Sequence, residues 1–199
     1  MYNPYDFYFK KAKEVGYKAR SAFKLDEIQD KFHIFDKTTK NIVDIWCAPG
    51  SWLQYAVSQE QKNNVKWYKI IWFDIKDMTI SLPGVFTYKQ DVTDQEAVKK
   101  ILQENGIEKI DLIQSDMAPN TTWIKDLDAM KSMVLIEETL RIYKELLKPT
   151  WKFAIKVFMW PGFEEFVKEL KNHFGWKNIK IFKPKSCRKE SKETYIVKI

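Results

Sequence analysis

The chain of 199 residues is long enough to bury a full hydrophobic core and short enough to form a single domain. Hydrophobic residues make up 45% of it, which excludes a disordered chain, and no apolar run is long enough to span a membrane. The net charge of +7 is concentrated at the two ends, which indicates a polyanionic partner.

Positive charge is concentrated in two terminal segments. Residues 1–24 carry six Lys or Arg against two Asp or Glu, and residues 183–199 also carry six against two, so the middle of the chain is close to neutral. Aromatic side chains are interleaved with the N-terminal lysines, as surfaces that stack on nucleobases require. We therefore predict one domain over residues 1–199, with residues 1–20 as a basic extension that contacts nucleic acid. The alternative is a pair of solvated terminal faces.

The N-terminal sequence and the cysteine content indicate the compartment. Met1 is not followed by the basic and apolar segments of a signal peptide. The two cysteines, Cys47 and Cys187, lie far apart in sequence and form no metal or redox motif. These features predict a cytoplasmic protein without a bound metal.

Two helices are predicted before the first strand. A short basic helix covers residues 6–15 and ends at Gly16, and Ser21 is placed to cap a second helix with an apolar face. Lys24 falls in the first turn of that second helix, where the helix dipole disfavours a cation. A lysine in this position indicates either a functional role or an ordinary solvated side chain.

The stretch from Asn41 to Tyr55, NIVDIWCAPGSWLQY, joins a short apolar strand to a helix through a Pro-Gly turn. This is the pattern of a nucleotide-binding α/β unit, although the turn lacks the GxGxxG spacing expected for a dinucleotide. Asp44 lies inside the strand, where an unpaired carboxylate is costly, so a specific role is expected for it. The pattern favours a ligand with adenosyl and amino-acid parts; the alternative is an ordinary strand-to-helix turn.

Helices and strands alternate through the rest of the chain. Strands are predicted at residues 68–73, 85–88, 110–115 and 153–158, helices at 52–61, 94–104, 128–147 and 163–174, and a closing hairpin at 179–182 and 194–198. This alternation predicts an α/β fold: a doubly wound, mostly parallel, seven-stranded sheet with its ligands at the carboxyl ends of the strands.

Charged residues stand at or near the ends of several predicted strands. Asp74, Asp91 and Asp116 each follow a successive strand, and Asp74 is placed to accept hydrogen bonds from the two hydroxyls of a ribose. Lys156 interrupts the apolar strand FAIKVF, where a lysine is rarely buried without a function. Burial and a neighbouring cation make such a lysine a usable general base. The alternative is a side chain that reaches solvent at the strand end.

Five motifs together resemble the FtsJ/RrmJ ribose 2′-O-methyltransferases. GYKARSAFKLDEI, VDIWCAPGSW, SDMAPN, AIKVF and KPKSCRKESKETYIV match the motifs of that family in order and over nearly the whole chain. The resemblance is strongest to the bacterial enzymes that act on large-subunit ribosomal RNA, the RlmE type. It implies the Rossmann-like methyltransferase fold, S-adenosylmethionine as methyl donor, ribosomal RNA or the large ribosomal subunit as partner, and a monomer that needs no metal.

The resemblance also implies roles for particular residues. The catalytic tetrad of the family, Lys-Asp-Lys-Glu, corresponds here to Lys24, Asp116, Lys156 and Glu193. The contacts to S-adenosylmethionine correspond to Gly50, Trp52, Asp74, Asp91 and Asp116. In this scheme Lys156 removes the proton of a ribose hydroxyl and Asp116 orients Lys156, while Glu193 holds Lys24 or the hydroxyl in line.

Three functions remain open on these grounds. The leading one is 2′-O-methylation of a ribose in 23S ribosomal RNA. The same chemistry on a transfer RNA is an alternative that the shared catalytic motifs do not exclude. A catalytically dead RNA-binding or ribosome-assembly protein is the third function, and it is favoured if Trp46 is genuine.

One departure from the family pattern is systematic, because tryptophan replaces glycine at six matching positions. These are Trp46, Trp67, Trp72, Trp123, Trp151 and Trp160. With six glycines in 199 residues, the chain contains about 3% glycine against a usual value of about 7%. We hypothesise that a UGA codon, read as Trp in one variant genetic code and as Gly in another, has been decoded here as Trp. UGG codons at these positions would exclude this explanation.

We predict that replacing Trp46 by glycine restores cofactor binding. The residue follows the first predicted strand and lines the point where the cofactor meets the backbone, so an indole there competes with the ligand. Overpacking of this kind costs about 1–3 kcal/mol, or roughly ten- to a hundredfold in affinity. Calorimetry of both proteins with S-adenosylmethionine checks this, with Trp151→Gly as the control that should not rescue binding. Equal affinities would mean that Trp46 points elsewhere.

Overall fold

The computed structural model describes residues 7–45, 49–76, 80–117, 137, 147–159 and 161–199. The helices within these ranges are α1 (Phe7–Val15), α2 (Ala22–Phe32), α3 (Ser51–Lys62), α4 (Gln95–Glu104) and α5 (Phe163–Phe174). The strands are β1 (Asn41–Ile45), β2 (Lys69–Asp74), β3 (Val85–Lys89), β4 (Ile110–Ser115), β5 (Leu147–Phe158), β6 (Ile179–Phe182) and β7 (Glu193–Lys198). None of the described helices is long and apolar enough to cross a membrane.

The seven strands form one sheet in the order β3-β2-β1-β4-β5-β7-β6. β1 pairs in parallel with β2 and β4, β2 with β3, and β4 with β5. β7 runs antiparallel to both of its neighbours, β5 and β6. Residues 183–192 join β6 directly to β7, and so these two strands pair as a hairpin. The predicted α/β fold with a mostly parallel, seven-stranded sheet is confirmed.

The start of β5 differs from the sequence expectation. The strand begins at Leu147 rather than at Phe153. Of the rest of the helix predicted over residues 128–147, the structure describes only Glu137, which is helical. The register between β4 and β5 shifts in the segment that contains Pro149. A proline has no N–H to donate and is tolerated in a sheet where the ladder is interrupted. Pairing with β4 therefore extends β5 into residues 147–152, where the sequence pattern predicts the end of a helix followed by a loop.

Ser21 occupies the position before α2 without capping that helix. Its hydroxyl oxygen lies 2.8 Å from that of Ser51, the first residue of α3, and it makes no capping hydrogen bond to α2. The predicted capping hydrogen bond is wrong, because the Ser21 hydroxyl bonds to the hydroxyl of Ser51 on another helix instead of to the backbone of α2. This contact ties the starts of α2 and α3 together.

Two apolar clusters cover the two faces of the sheet. Side chains alternate along each strand, so on β1 Val43 and Ile45 pack into the cluster that includes α4 and α5. Ile42 packs into the opposite cluster, which includes α2, α3 and Tyr195 of β7. This alternation decides which polar side chains of the strands face α2.

Asp44, the acid inside β1, is completely buried. It is in register with Gln114 of β4, and the side-chain amide of Gln114 donates to Oδ2 of Asp44 at 2.7 Å. A hydrogen bond to a carboxylate offsets part of the cost of burying it. The structure thus identifies Gln114 as a specific partner for the acid that stands out in the sequence.

Three of the six tryptophans at family glycine positions lie among the described residues. Trp72 and Trp151 are buried, and Trp67 is 84% exposed. None of the three has a positive φ, since in the described part of the chain only His33 and Asn64 do so among non-glycine residues. The backbone at these positions therefore does not require glycine, and the codon hypothesis stays a prediction. The others, Trp46, Trp123 and Trp160, lie outside the described residues.

Glu60 of α3 is an acid buried without a partner. Its side chain has no exposed surface, and neither carboxylate oxygen has a hydrogen-bond partner among the described residues. Burial, and then the negative charges of Asp36 and Asp111, raise the pKa of Glu60 to about 8. The carboxyl group is therefore protonated at neutral pH in the folded protein, whereas its ordinary pKa is 4.5.

We predict that Glu60 makes the protein less stable at alkaline pH. Between its ordinary pKa of 4.5 and the folded pKa of about 8, the folded state holds a proton that the unfolded state releases. The free energy of unfolding therefore falls as the pH rises through this range. Glu60→Gln keeps a neutral side chain of the same shape and should remove a loss of up to about 4 kcal/mol. Urea unfolding of both proteins near pH 5 and pH 9 checks this, and parallel pH profiles would contradict it.

Candidate active site

The carboxyl ends of the parallel strands meet at one edge of the sheet. Ile45, the last residue of β1, is in register with Phe73 of β2 on one side and with Ser115 of β4 on the other. Asp74 and Asp116 follow Phe73 and Ser115 directly. Two of the predicted site acids therefore flank the end of β1.

The antiparallel pairing of β5 with β7 brings the second half of the site to the same edge. Lys156 of β5 lies directly opposite Tyr195 of β7, and Glu193, two residues before Tyr195, is on the same face of the sheet. Lys24 lies in the first turn of α2, which packs on that face. The strand order thus joins a lysine near the N-terminus, a lysine of β5 and an acid near the C-terminus.

Four charged side chains form two buried ion pairs. Nζ of Lys24 is 2.9 Å from Oε1 of Glu193, and Nζ of Lys156 is 3.2 Å from Oδ1 of Asp116. Lys156 also donates to the backbone carbonyl of Asp116. The four side chains are at most 13% exposed, so each charge depends on its partner for compensation. The structure therefore brings all four predicted catalytic residues to one site.

Electrostatic coupling keeps Asp116, Glu193 and Lys24 in their charged forms. Burial by itself raises the pKa of Asp116 and of Glu193, but nearby lysines outweigh it and lower both. Lys156 and Lys24 act on Asp116, and Lys24 acts on Glu193. Burial by itself lowers the pKa of Lys24, but the carboxylates of Asp116 and Glu193 outweigh burial, and the pKa of Lys24 is raised. At neutral pH both acids are ionised and Lys24 is protonated.

Tyr195 is a site residue that the sequence analysis missed. Its hydroxyl donates to Oδ1 of Asp116 at 2.8 Å, and its ring stacks on Trp52 with 5.8 Å between centroids and 27° between planes. Trp52, a predicted cofactor contact, is completely buried, and its indole N–H donates to the carbonyl of Ser21 at 2.9 Å. The available signal is the alternation in ETYIV, which puts Glu193 and Tyr195 on the same face.

Cys187 lies against the site without being reactive. Its buried thiol hydrogen-bonds to the carboxylate of Glu193. Burial, and then this carboxylate, raise the pKa of the Cys187 thiol to about 12. The thiol therefore remains protonated at neutral pH, and it contributes a hydrogen bond that lowers the pKa of Glu193 further.

The remaining predicted cofactor residues lie along the ends of β1, β2 and β3. Gly50 precedes α3 with a φ of +96°, a conformation that favours glycine. Asp74 is buried, and its Oδ1 accepts from the backbone N–H of Lys76 at 2.9 Å. Asp91 follows β3 and is exposed, and its Oδ1 accepts from the N–H and the hydroxyl of Thr93. Because β2 and β3 are adjacent, these two acids lie on neighbouring strand ends.

The groups at this edge fit S-adenosylmethionine. That molecule carries sulfonium and ammonium cations, a ribose with two hydroxyls, and a carboxylate. Acids at the ends of β2 and β4 match the cations and hydroxyls, and the N-terminus of α3, with its positive dipole and outward N–H groups, matches an anion. The residues predicted to hold the molecule remain Gly50, Trp52, Asp74, Asp91 and Asp116, of which Trp52 has no exposed surface.

A cavity of about 260 Å³ opens beside the Lys24–Glu193 pair. Its lining consists of Arg20, Lys24, Arg188, Ser191 and Glu193. Cations outnumber acids in this lining, and guanidinium groups bind phosphate oxygens in a bidentate geometry. The cavity is therefore suited to an anionic group held next to the ion pairs.

Comparison with known proteins places these observations in a family. The model of the FtsJ-like methyltransferases matches residues 17–199. Ribosomal RNA large subunit methyltransferase E of Pelagibacter ubique is 40% identical over 197 residues, covering 96% of this chain and 90% of the relative. The same-named protein of Desulfatibacillum aliphaticivorans is 39% identical over 193 residues, covering 96% and 88%.

Solved structures agree with the fold. A ribosomal RNA methyltransferase from Plasmodium falciparum superposes with a TM-score of 0.76 at 25% identity, covering 92% of this chain and 97% of that one. Human methyltransferase-like protein 13, solved in complex with SAH, gives a TM-score of 0.56 at 11% identity, covering 81% and 72%. At that identity the second likeness shows the fold alone.

We predict that the Lys24–Glu193 pair contributes to stability only while Glu193 is ionised. A double-mutant cycle with Lys24→Met and Glu193→Gln should give a coupling energy of about 1–3 kcal/mol at neutral pH, because both charges are buried. The pKa of Glu193 is lowered in the folded protein, so the stabilisation is present above its ordinary pKa of 4.5. It is lost as the pH falls through the folded pKa.

The matched control for this cycle is the exposed pair of Lys100 and Glu104 on α4. Their charged atoms are 4.0 Å apart, and their side chains are 76% and 60% exposed. This pair should give a coupling energy of at most about 0.5 kcal/mol. Chemical denaturation near pH 7 and pH 3 measures both cycles, and equal coupling energies for the two pairs would refute the prediction.

Proposed function

The chain belongs to the FtsJ-like methyltransferase family, and from this membership we propose that it transfers a methyl group from S-adenosylmethionine to the 2′-hydroxyl of a ribose in 23S ribosomal RNA. The names of its relatives support the substrate. The observation that carries the proposed chemistry is the pair of buried ion pairs, Lys24–Glu193 and Lys156–Asp116, next to the residues that fit the methyl donor.

The proposed reaction needs alignment and a base. When bound, S-adenosylmethionine provides a methyl group on a positively charged sulfur, which makes that methyl electrophilic without a metal ion. A ribose hydroxyl is a weak nucleophile until its proton is removed during attack. In this proposal Lys156 acts as the base in its unprotonated form and accepts that proton. The methyl group would leave the sulfur of the donor for the ribose oxygen, so that the donor would leave as a neutral thioether.

Asp116 and its neighbours hold the base in place. Oδ1 of Asp116 accepts from the hydroxyl of Tyr195, which fixes the carboxylate, and it lies 3.2 Å from Nζ of Lys156, which it directs. In the proposal, Lys24 and Glu193 orient the ribose hydroxyl from the wall formed by α2 and β7. Fixing both partners in a reactive geometry is worth several kcal/mol of the barrier.

RNA binding is proposed for the basic surfaces around the site. Arg20 and Arg188 line the cavity beside the Lys24–Glu193 pair, where a phosphate of the RNA backbone fits their charge and geometry. The lysines of α1 are exposed, which supports residues 1–20 as an extension that contacts RNA. We propose the large ribosomal subunit as the partner, a monomer as the active form and the cytoplasm as the compartment.

We predict that Lys156→Ala abolishes methyl transfer while S-adenosylmethionine binding remains. Loss of a general base lowers the rate by about a hundred- to ten-thousandfold, whereas Lys156 acts on the substrate hydroxyl and not on the donor. The rate of tritiated methyl incorporation into large ribosomal subunits and the donor affinity by calorimetry measure the two effects. Both are measured with glycine or tryptophan at position 46, whichever binds the donor more tightly.

The control substitution is Lys152→Ala on the same strand. Lys152 pairs with Asp36 at 2.6 Å and lies at the opposite end of the β5 segment that pairs with β4. The substitution Lys152→Ala should therefore leave the rate of methyl transfer unchanged. Normal turnover in Lys156→Ala would remove this lysine from the mechanism. Methyl incorporation into transfer RNA but not into 23S RNA would contradict the substrate. Absence of donor binding would favour an RNA-binding protein without activity.

A further inference from the structure

Three polar side chains on one side of α2 and its preceding turn contact the end of the chain near the site. Their partners lie in residues 183–192, the segment that leads into β7, and in Glu193 at the start of β7. Arg20, Lys24 and Glu27 follow at intervals of four and three residues, which is the spacing of one helix face. The guanidinium of Arg20 donates to the carbonyl of Ser186. Lys24 pairs with Glu193, as described above. Glu27 makes the third contact. It lies within the motif GYKARSAFKLDEI, but the resemblance implies no role for it and the proposed chemistry does not use it.

Glu27 binds the backbone of this segment with both carboxylate oxygens. Oε2 accepts from the N–H of Lys185 at 2.6 Å, and Oε1 accepts from the N–H of Ser186 at 2.8 Å. Hydrogen bonds from two successive amides to one carboxylate are charge-assisted and constrain both the position and the orientation of the backbone. The partners are more than 150 residues apart in sequence, so the contact exists only in the folded protein.

The segment held by Glu27 carries one wall of the site. Cys187, next to Ser186, hydrogen-bonds to Glu193, and Arg188 and Glu193 line the cavity. The opposite wall consists of Arg20 and Lys24. The distance between the two walls is therefore set where α2 and the segment are joined, and Glu27 makes two of the hydrogen bonds at that junction.

We propose that Glu27 is a positioning residue for the RNA substrate: by clamping the backbone at Lys185 and Ser186, it sets the width of the cavity and the approach of Glu193 to Lys24. This inference rests on the proposed function for the identity of the substrate. Glu27 does not touch the reacting atoms. It acts through Arg188 and Glu193, which the clamp holds opposite Arg20 and Lys24.

The test compares Glu27→Gln with a neighbouring substitution of the same kind. A glutamine has only one acceptor oxygen, and its amide N–H groups oppose the second backbone N–H, so one of the two hydrogen bonds is lost. The control is Asp26→Asn on the same helix, since Asp26 accepts from the hydroxyl of Tyr55 at 2.9 Å and has no hydrogen bond to the segment among the described residues. Both variants remove one negative charge from α2.

Two readouts separate positioning from a general loss of stability. We expect Glu27→Gln to raise KM for the ribosomal subunit about tenfold with unchanged affinity for S-adenosylmethionine, whereas Asp26→Asn leaves KM unchanged. We also expect alkylation of Cys187 to become about tenfold faster in Glu27→Gln and not in Asp26→Asn. Peptide-resolved mass spectrometry distinguishes Cys187 from Cys47. Glu27→Asp keeps both oxygens on a shorter side chain, so its KM and its rate of Cys187 alkylation should lie between those of the unaltered protein and those of Glu27→Gln.

The outcomes decide the proposal in each case. If Glu27→Gln keeps the KM and the slow alkylation of Cys187 seen in the control, or if both variants change these values equally, Glu27 is not a positioning residue. If Glu27→Gln fails to fold, Glu27→Asp takes its place in the same comparison. If the protein transfers no methyl group to ribosomal RNA with either tryptophan or glycine at position 46, the proposed function fails. In that case the rate of Cys187 alkylation and the affinity for the RNA still test whether Glu27 positions the segment before β7.

Discussion

The need to compensate buried charge is the constraint on which the rest of this structure depends. Lys156 lies in a strand covered on both faces, and a lysine in such a place is stable only beside a counter-charge. Asp116, at the end of the neighbouring strand, provides that charge, and the hydroxyl of Tyr195 fixes its orientation. The second pair, Lys24–Glu193, obeys the same rule on the adjoining wall. The same geometry gathers these four side chains at the edge of the sheet where the proposed methyl transfer takes place.

A comparison with Glu60 shows how strongly a partner decides the state of a buried acid. Glu60 and Asp116 both lose solvent, which raises the pKa of each. Two lysines reverse the effect at Asp116, whereas the charges of Asp36 and Asp111 add to the effect of burial at Glu60, and its pKa rises to about 8. Among buried acids of the same protein, neighbouring lysines therefore keep Asp116 ionised in the site, whereas neighbouring acids leave Glu60 neutral in the core.

The site divides the sheet edge into two regions that meet at Asp116. The ends of β1, β2 and β3, with the start of α3, form the region that fits the methyl donor, and α2, β5 and β7 form the region proposed to face the substrate. Tyr195 connects them, since its hydroxyl binds Asp116 while its ring stacks on Trp52 of α3. Ser21, just before α2, is bonded to Ser51 and Trp52 of α3, so a shift of α2 also reaches the donor region. A shift of the segment before β7 acts on the proposed substrate wall, and this is where Glu27 binds the backbone.

The sequence by itself determined the α/β alternation, the acids at the strand ends and the lysine in β5, because periodicity and turn residues are properties of near neighbours in the chain. It also determined family membership through motifs spread over nearly its whole length. The tertiary structure alone decided that β7 lies between β5 and β6, that β5 begins at Leu147, and that Ser21 contacts Ser51 instead of capping α2. Tyr195, the clamp at Glu27 and the neutral Glu60 belong to the same group. Each depends on residues far apart in sequence that become neighbours only through the order of the strands, and no local pattern encodes that order.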